Sequence, residues 1–173
     1  MSGPERAARC GAILFTDLVG FTAYTDVHGD LAAVDVLDRQ ASLVAVAIEG
    51  VGRIVKELGD GLMLWFDELD AGLSSTQTIL ESVADAREAA DFPLAVRMGL
   101  HVGDVIERGD DIVGHAVNIA ARVADLAGPG ELLVTDHVVR SLRDSGHAAA
   151  FRPVGPTRVK GVAEPIWLHR LAT

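Results

Sequence analysis

The sequence predicts an α+β fold in which helices pack on a mostly antiparallel sheet. Short apolar runs with β-branched residues alternate with longer segments in which apolar residues recur about every 3.6 residues, so strands and helices are interleaved. Two of the runs flank Gly59-Asp60-Gly61, and this tight hairpin favours an α+β sandwich over an all-parallel sheet. Apolar residues make up 49% of the 173 residues and charged residues 23%, which is typical of a folded domain.

The first half of the chain predicts a strand, two helices, a hairpin and a third helix. Apolar residues recur at helical spacing from Thr22 to Gly50, and His28-Gly29-Asp30 divides that segment into two helices. Asp-Gly between two apolar runs is a strong hairpin signal. The predicted elements are a strand over residues 12–15 that stops at a turn over 16–20, helices within 22–50, hairpin strands over 54–58 and 62–66, and a helix over 68–90.

The second half predicts a further helix between strands, then a short helix and two final strands. Gly128-Pro129-Gly130 ends the helix that starts at Gly114. The predicted elements are a strand over residues 94–102, a polar tip at 107–110, a short strand to 113, a helix over 114–127, a strand over 131–135, a helix over 137–143, and strands over 151–159 and 166–171. With no linker or repeat between them, they form one domain over 12–173 after a short tail over 1–11.

The charge and the apolar pattern exclude several classes of partner. A net charge of −10 and a pI near 4.9 argue against nucleic acid and against an anionic membrane surface, because both are bound by clustered Lys and Arg. A single cysteine, Cys10, excludes an intramolecular disulfide and a multi-cysteine zinc site. No apolar run approaches the ~20 residues of a membrane span. We expect a soluble, cytoplasmic protein.

Two aspartates beside glycines are candidate metal ligands. Taken singly, Asp17 and Asp60 are better explained as turn carboxylates than as metal ligands. An Asp that closes a strand beside an Asp on a hairpin tip can, however, bridge two divalent cations, Mg²⁺ or Mn²⁺. The turn that follows Asp17 opens a helix at Gly20-Phe21-Thr22, and helix N-termini with glycine accept phosphates.

Further candidates come from lysine usage and from one helix. Only two of the 15 basic residues are lysines, Lys56 and Lys160, either of which could be an ordinary surface lysine. Asn118 and Arg122 lie four positions apart on a predicted helix and share one face of it. Asp111 precedes them in the sequence. Seen alone, they could be a helix surface pair.

Together and in this order, these pieces resemble the catalytic domain of the class III adenylyl cyclases, from about residue 12 to 171. Residues 15–22 are similar to the first metal motif of that family, and Lys56 with Asp60 to its Lys-x-x-x-Asp pair. The spacing of Asp111, Asn118 and Arg122 is similar to that of its substrate and transition-state residues, and residues 159–161 resemble its phosphate-binding lysine motif. The resemblance implies a ferredoxin-like, palm-type sandwich, the nucleotidyl cyclase fold.

The resemblance also implies a reaction and the role of each residue. It implies that ATP is converted to 3′,5′-cyclic AMP and pyrophosphate, with two divalent cations on Asp17 and Asp60, and with Asn118 and Arg122 as catalytic residues. The substrate would be held by Lys56 and Asp111 at adenine, and at the phosphates by Lys160, Gly20, Phe21 and Thr22. A homodimer with two shared active sites is expected. Where some members have a basic residue, this chain has Asp104.

Two alternatives remain beside the adenylyl cyclase hypothesis. A guanylyl cyclase would share the fold, although Lys56 and Asp111 match the hydrogen-bonding edge of adenine rather than that of guanine. A catalytically silent nucleotide-binding dimerisation module would also share it, although both metal aspartates, Asn118 and Arg122 are present.

Overall fold

The computed structural model describes residues 7–144 and 151–172 as a sheet with helices on both faces. In chain order the elements are β1 (Ala8–Leu18), α1 (Phe21–His28), α2 (Asp30–Ala47), β2 (Gly52–Leu58), β3 (Gly61–Phe66), α3 (Leu69–Glu88), β4 (Val96–Arg108), β5 (Asp111–Val113), α4 (His115–Leu126), β6 (Leu132–Thr135), α5 (Asp136–Asp144), β7 (Phe151–Thr157) and β8 (Ile166–Leu171).

The sheet has the strand order β2-β3-β1-β4-β6-β8-β7, with β5 paired to β4. Within the described residues, only β4 and β6 pair in parallel, and the other neighbours are antiparallel. The predicted α+β class with a mostly antiparallel sheet is therefore confirmed. The hairpin around Gly59-Asp60-Gly61 and the break between α1 and α2 are also where the sequence predicted them.

Two predicted strands are longer than expected. The turn predicted from Thr16 is wrong, because β1 continues through Asp17 to Leu18. Likewise β4 runs from Val96 to Arg108 rather than ending at residue 102. The reason is that β1 and β4 pair along eleven positions, from Ala8 opposite Ile106 to Leu18 opposite Val96, and each strand satisfies the backbone of the other. Residues 1–6 of the predicted tail lie outside the described residues.

Alternation along β1 separates two cores. Leu14 and Leu18 belong to the larger core, which contains residues of α2 and α3, whereas Ile13 belongs to a smaller core with Ala116 and Ala120 of α4. Successive side chains of a strand point to opposite faces. The face toward α4 therefore also carries Asp17, four residues after Ile13.

Helix α4 lies unusually close to β4 because two glycines face it. A Cβ at Gly99 would lie 2.7 Å from the Cα of Ala124, and a Cβ at Gly103 would lie 2.9 Å from the Cβ of Ala116. Neither distance is tolerated by a real side chain, so only glycine permits this packing at both positions. The close contact fixes the height of α4 above the sheet and so places Asn118 and Arg122.

We predict that Gly99→Ala destabilises the protein by about 3 kcal/mol, because its methyl group would overlap the backbone of Ala124, which cannot move aside like a flexible side chain. The free energy of unfolding in urea measures this. Gly128→Ala is the matched control, since its methyl would meet only the carboxylate end of Glu131 at 3.3 Å. Equal stability of the two variants would show that α4 does not depend on the contact at Gly99.

Candidate active site

The two predicted metal ligands come together at one end of β1. Asp17 is the penultimate residue of β1 and lies opposite Gly61, the residue that follows Asp60. Asp17 Oδ1 is 3.5 Å from the position that a Cβ on Gly61 would occupy. The antiparallel pairing of β1 with β3 thus brings the hairpin tip to the Asp17 carboxylate.

Asp60 lies where its negative charge is costly. Burial raises its pKa above the ordinary value, and the charge of Asp17 raises it further, while its own backbone N–H and Arg97 act in the opposite direction. A carboxylate whose charge is disfavoured by burial and by a second carboxylate gains from a cation beside it.

The donor set of this carboxylate pair, Asp17 and Asp60, fits Mg²⁺ or Mn²⁺. Among residues 7–144 and 151–172, no group of three or more His, Cys, Asp or Glu is arranged to hold a metal ion. Magnesium does not need such a group, because it commonly binds through one or two carboxylates together with water and substrate phosphates. The pair therefore fits a cation that binds together with a phosphate ligand.

Arg97 is a residue of this site that the sequence reasoning missed. It lies opposite Asp17 in the pairing of β1 with β4. Its Nε and Nη2 donate to Asp17 Oδ2 at 2.7 and 2.5 Å, and its Nη1 donates to the backbone carbonyl oxygen of Asp125 at 3.1 Å. A lone charge within the apolar strand predicted over 94–102 was the available signal, since a charge in a strand needs a partner.

A second group of predicted residues lines a cleft of about 380 Å³. Lys56 Nζ forms an ion pair with Asp111 Oδ2, and the backbone N–H of Ile112 donates to Asp111 Oδ1 at 2.9 Å. The hydrogen bond from Lys56 lowers the pKa of Asp111, so this carboxyl is ionised at neutral pH. Asn118 also lines this Lys56 cleft, whose other lining residues include Phe15, Met63 and Val117.

Lys56 and Asp111, although far apart in the chain, are both expected from the sequence to hold the base. The structure brings them together because β5 folds back on β4 next to β2, and Arg53 of β2 donates to the carbonyl oxygen of Asp110 at 2.8 Å. An apolar floor with a cation, an anion and an amide at its edge is suited to a flat heterocycle.

Arg122 follows Asn118 by one turn of α4. Its Nη1 lies 3.4 Å from Asp125 Oδ2, and nearly half of its side chain, 46%, is exposed. Since Arg97 also contacts Asp125, the ion pairs form a chain from Asp17 through Arg97 and Asp125 to Arg122. The structure thus places Arg122 on the sheet face that carries the carboxylate pair.

The remaining predicted residues are placed less closely. Gly20 has φ 80° and precedes α1. No side chain caps the N-terminus of this helix, so the backbone N–H groups of Phe21 and Thr22 receive no hydrogen bond from a capping side chain. Lys160 lies exposed between β7 and β8, at the opposite edge of the sheet from Lys56. Within a single chain, the structure does not bring Lys160 to the other predicted residues.

No helix within the described residues is long and apolar enough to span a membrane.

Comparison with known proteins identifies the family. The family model described as the adenylate and guanylate cyclase catalytic domain matches residues 4–171. A pH-sensitive adenylate cyclase of Mycobacterium tuberculosis is 32% identical over 170 residues, which are 97% of this chain and 42% of that protein. The chain therefore spans less than half the length of that relative.

Solved structures agree with the fold. A structure described as an adenylate/guanylate cyclase/hydrolase from Silicibacter pomeroyi is 30% identical, with a TM-score of 0.82 and coverage of 98% of this chain and 99% of that chain. The adenylyl cyclase CyaB from P. aeruginosa has a TM-score of 0.88 at 22% identity, with coverage of 98% and 97%, and this likeness concerns the fold. The family predicted from the motifs is confirmed, and the chain belongs to the class III adenylate and guanylate cyclase catalytic domains.

Proposed function

We propose that the chain is an adenylyl cyclase that converts ATP to 3′,5′-cyclic AMP and pyrophosphate. The observation that carries the choice of ATP is the Lys56–Asp111 ion pair at the edge of an apolar cleft. The similarity to a protein named as an adenylate cyclase supports the same choice.

The ion pair matches adenine because of the direction of its hydrogen bonds. Adenine has an acceptor at N1 and a donor at N6, which the Lys56 ammonium and the Asp111 carboxylate complement. Guanine has a donor at N1 and an acceptor at O6, so both protein groups would face the wrong partner. The side chains of Lys56 and Asp111 are 44% and 30% exposed in the free chain, so a bound base is what shields them from water. Each group that the base then leaves unpaired costs about 1–3 kcal/mol.

Asp17 and Asp60 would hold two divalent cations, Mg²⁺ or Mn²⁺, jointly with the triphosphate. When bound, such cations lower the pKa of the ribose 3′-hydroxyl and neutralise phosphate charge. The 3′-hydroxyl then gives up its proton to water, its oxygen bonds to the α-phosphorus, the bond from that phosphorus to the bridging oxygen breaks, and pyrophosphate leaves.

Residues of α4 would assist this displacement without taking up a proton. Asn118, at the rim of the Lys56 cleft, is placed to orient the ribose once the base is bound. Arg122 would stabilise the charge that grows on the α-phosphoryl oxygens. A fixed helix suits both roles, because donors that are already in position need no rearrangement in the transition state.

The β- and γ-phosphates would meet the amides of Gly20, Phe21 and Thr22 at the start of α1, and Lys160. A helix N-terminus without a side-chain cap is a favourable place for an anion. The position of Asp104, exposed on β4, offers no positive charge where some class III relatives have one. The phosphate contacts of this chain would therefore depend more on the cations and on Lys160.

Domains of this family typically work as dimers, and we propose a homodimer with two shared active sites. Each site would take the carboxylate pair from one subunit and the Lys56 cleft, Asn118 and Arg122 from its partner. The position of Lys160 at the far edge of its own sheet is consistent with a contribution across an interface. A cytoplasmic location and one catalytic domain over residues 12–173 remain predictions.

The test of the function is turnover by the purified protein with ATP or GTP and Mn²⁺, with separation of the cyclic products. We expect cyclic AMP to predominate. Predominant cyclic GMP would favour the guanylyl cyclase alternative, and nucleotide binding without either product would favour the silent module.

We predict that Lys56→Glu lowers kcat/KM for ATP by about a hundredfold and narrows the ratio of ATP to GTP turnover, because two carboxylates would then face adenine N1 and N6. Steady-state kinetics with both nucleotides measure this. Arg87→Glu is the matched control, since it makes the same change of charge at an exposed position of α3. An unchanged ratio in Lys56→Glu would mean that Lys56 does not read the base.

The shared-site arrangement predicts complementation between two inactive variants. Asp17→Ala removes a metal ligand that one subunit contributes to a site, and Asn118→Ala removes a residue that the partner subunit contributes to it. Each homodimer should therefore be nearly inactive. In a mixed dimer, one site collects both changes and the other has neither. With random pairing about half of the dimers are mixed, so about a quarter of the wild-type activity should return.

This experiment requires that subunits exchange, which a pull-down with two different tags verifies. Asp17→Ala mixed with Asp60→Ala is the matched control. Both changes affect the carboxylate pair, so every site of a mixed dimer still lacks one metal ligand. If tagged heterodimers of Asp17→Ala and Asn118→Ala form and activity stays at the level of the separate variants, the sites are not shared.

A further inference from the structure

The contact of Arg97 with Asp17 occupies half of a carboxylate that the proposed function needs for a cation. Both guanidinium donors, Nε and Nη2, reach the same oxygen, Oδ2, at 2.7 and 2.5 Å. The other oxygen, Oδ1, faces Gly61 and the hairpin tip that carries Asp60. Arg97 therefore competes with a cation for Oδ2 of Asp17, whereas Oδ1 remains free to face Asp60.

The charge of Arg97 matters at this position because the contact is partly shielded from water. The side chains of Arg97 and Asp17 are 30% and 27% exposed, in contrast to the Arg39–Asp91 pair, whose side chains are 44% and 56% exposed. Charges act more strongly on each other where water is partly excluded. Arg97 reduces the net charge of the carboxylate pair from two negative charges to one.

Arg97 also has a second anionic partner to which it can turn. Its Nη1 already donates to the carbonyl oxygen of Asp125, and its Nη2 lies 4.0 Å from the Asp125 carboxylate. If a cation took Oδ2 of Asp17, the guanidinium could stay hydrogen-bonded at the end of α4. Exchange of partners at Asp17 would therefore not leave a charge without a partner.

We propose that Arg97 is a built-in counter-charge that weakens the binding of free divalent cations to Asp17 and Asp60, so that the cations bind with the nucleotide. This inference rests on the proposed metal role of the two aspartates. The triphosphate brings the negative charge that Arg97 offsets in the free protein, and so makes cation binding favourable. A protein whose site fills only together with the nucleotide avoids holding a metal in a site without substrate.

The test is the affinity of the nucleotide-free protein for Mn²⁺, measured by water-proton relaxation. Arg97→Gln keeps an amide donor for Asp17 but removes the positive charge, and we expect it to bind Mn²⁺ about tenfold more tightly than wild type. Arg97→Lys keeps the charge and should bind like wild type. If Arg97 instead served to hold Asp17 in position for the metal, Arg97→Gln would bind more weakly, and this result or an unchanged affinity would overturn the proposal.

The matched control is Arg39→Gln. Arg39 contacts Asp91 with the same two nitrogens on one carboxylate oxygen, but on α2 and outside the site, so its Mn²⁺ affinity should equal that of wild type. Asp17→Asn distinguishes a failure of the metal assignment from a failure of the role proposed for Arg97. If it leaves Mn²⁺ binding intact, the metal assignment of the proposed function fails; if it abolishes binding and Arg97→Gln does not tighten it, only the role of Arg97 fails.

A measurement on the wild type covers the case in which Arg97→Gln does not fold. The Nε–H resonance of Arg97, assigned by its absence from the ¹⁵N spectrum of Arg97→Lys, should shift as Mg²⁺ saturates the protein, because the cation then takes its acceptor oxygen, Oδ2 of Asp17. A resonance that stays in place while the metal site fills would contradict the proposal.

Discussion

The pairing of β1 with β4 is the constraint on which the rest of the structure depends. It continues over eleven positions at the centre of the sheet, and each strand has a second neighbour on its other side. The register decides which residues face α4. Because Asp17 lies opposite Arg97, the same register that buries Leu14 and Leu100 in the large core also sets a carboxylate against a guanidinium on the other face.

Most of the site is built from strands and a helix that are held by packing, and Asp60 lies on the tight turn between β2 and β3. Gly99 and Gly103 bring α4 down onto β4, and Arg97 caps the carbonyl end of that helix at Asp125. The hairpin that carries Asp60 is held by β3, whose six residues are all buried. Side chains on such elements lose little conformational entropy when they bind a ligand. They also need little rearrangement to stabilise a transition state.

The parts of the fold that could be predicted are those whose signals are local. The Asp-Gly hairpin, the glycine break between α1 and α2 and the helical spacing of Asn118 and Arg122 each lie within a few residues. The contact between Asp17 and Arg97 could not be predicted, since the two residues are 80 positions apart and their pairing depends on the register of two strands. For the same reason the prediction ended β1 too early, because Thr16 and Asp17 have turn-forming side chains and are strand residues only through their partners.

Two of the cations assigned to the substrate are already paired within the free chain. Lys56 pairs with Asp111, and Arg122 pairs with Asp125. Partly exposed ion pairs contribute only about 0–1 kcal/mol each, so a ligand can replace such a partner at little cost. The pairs nevertheless restrict the rotamers of long side chains before the ligand arrives, and rotamer freedom costs up to about 2 kcal/mol for a Lys or Arg. An acidic protein can therefore keep its few cations in position for an anionic substrate by pairing them with its own carboxylates, and weak pairs serve this purpose better than strong ones because they can be exchanged.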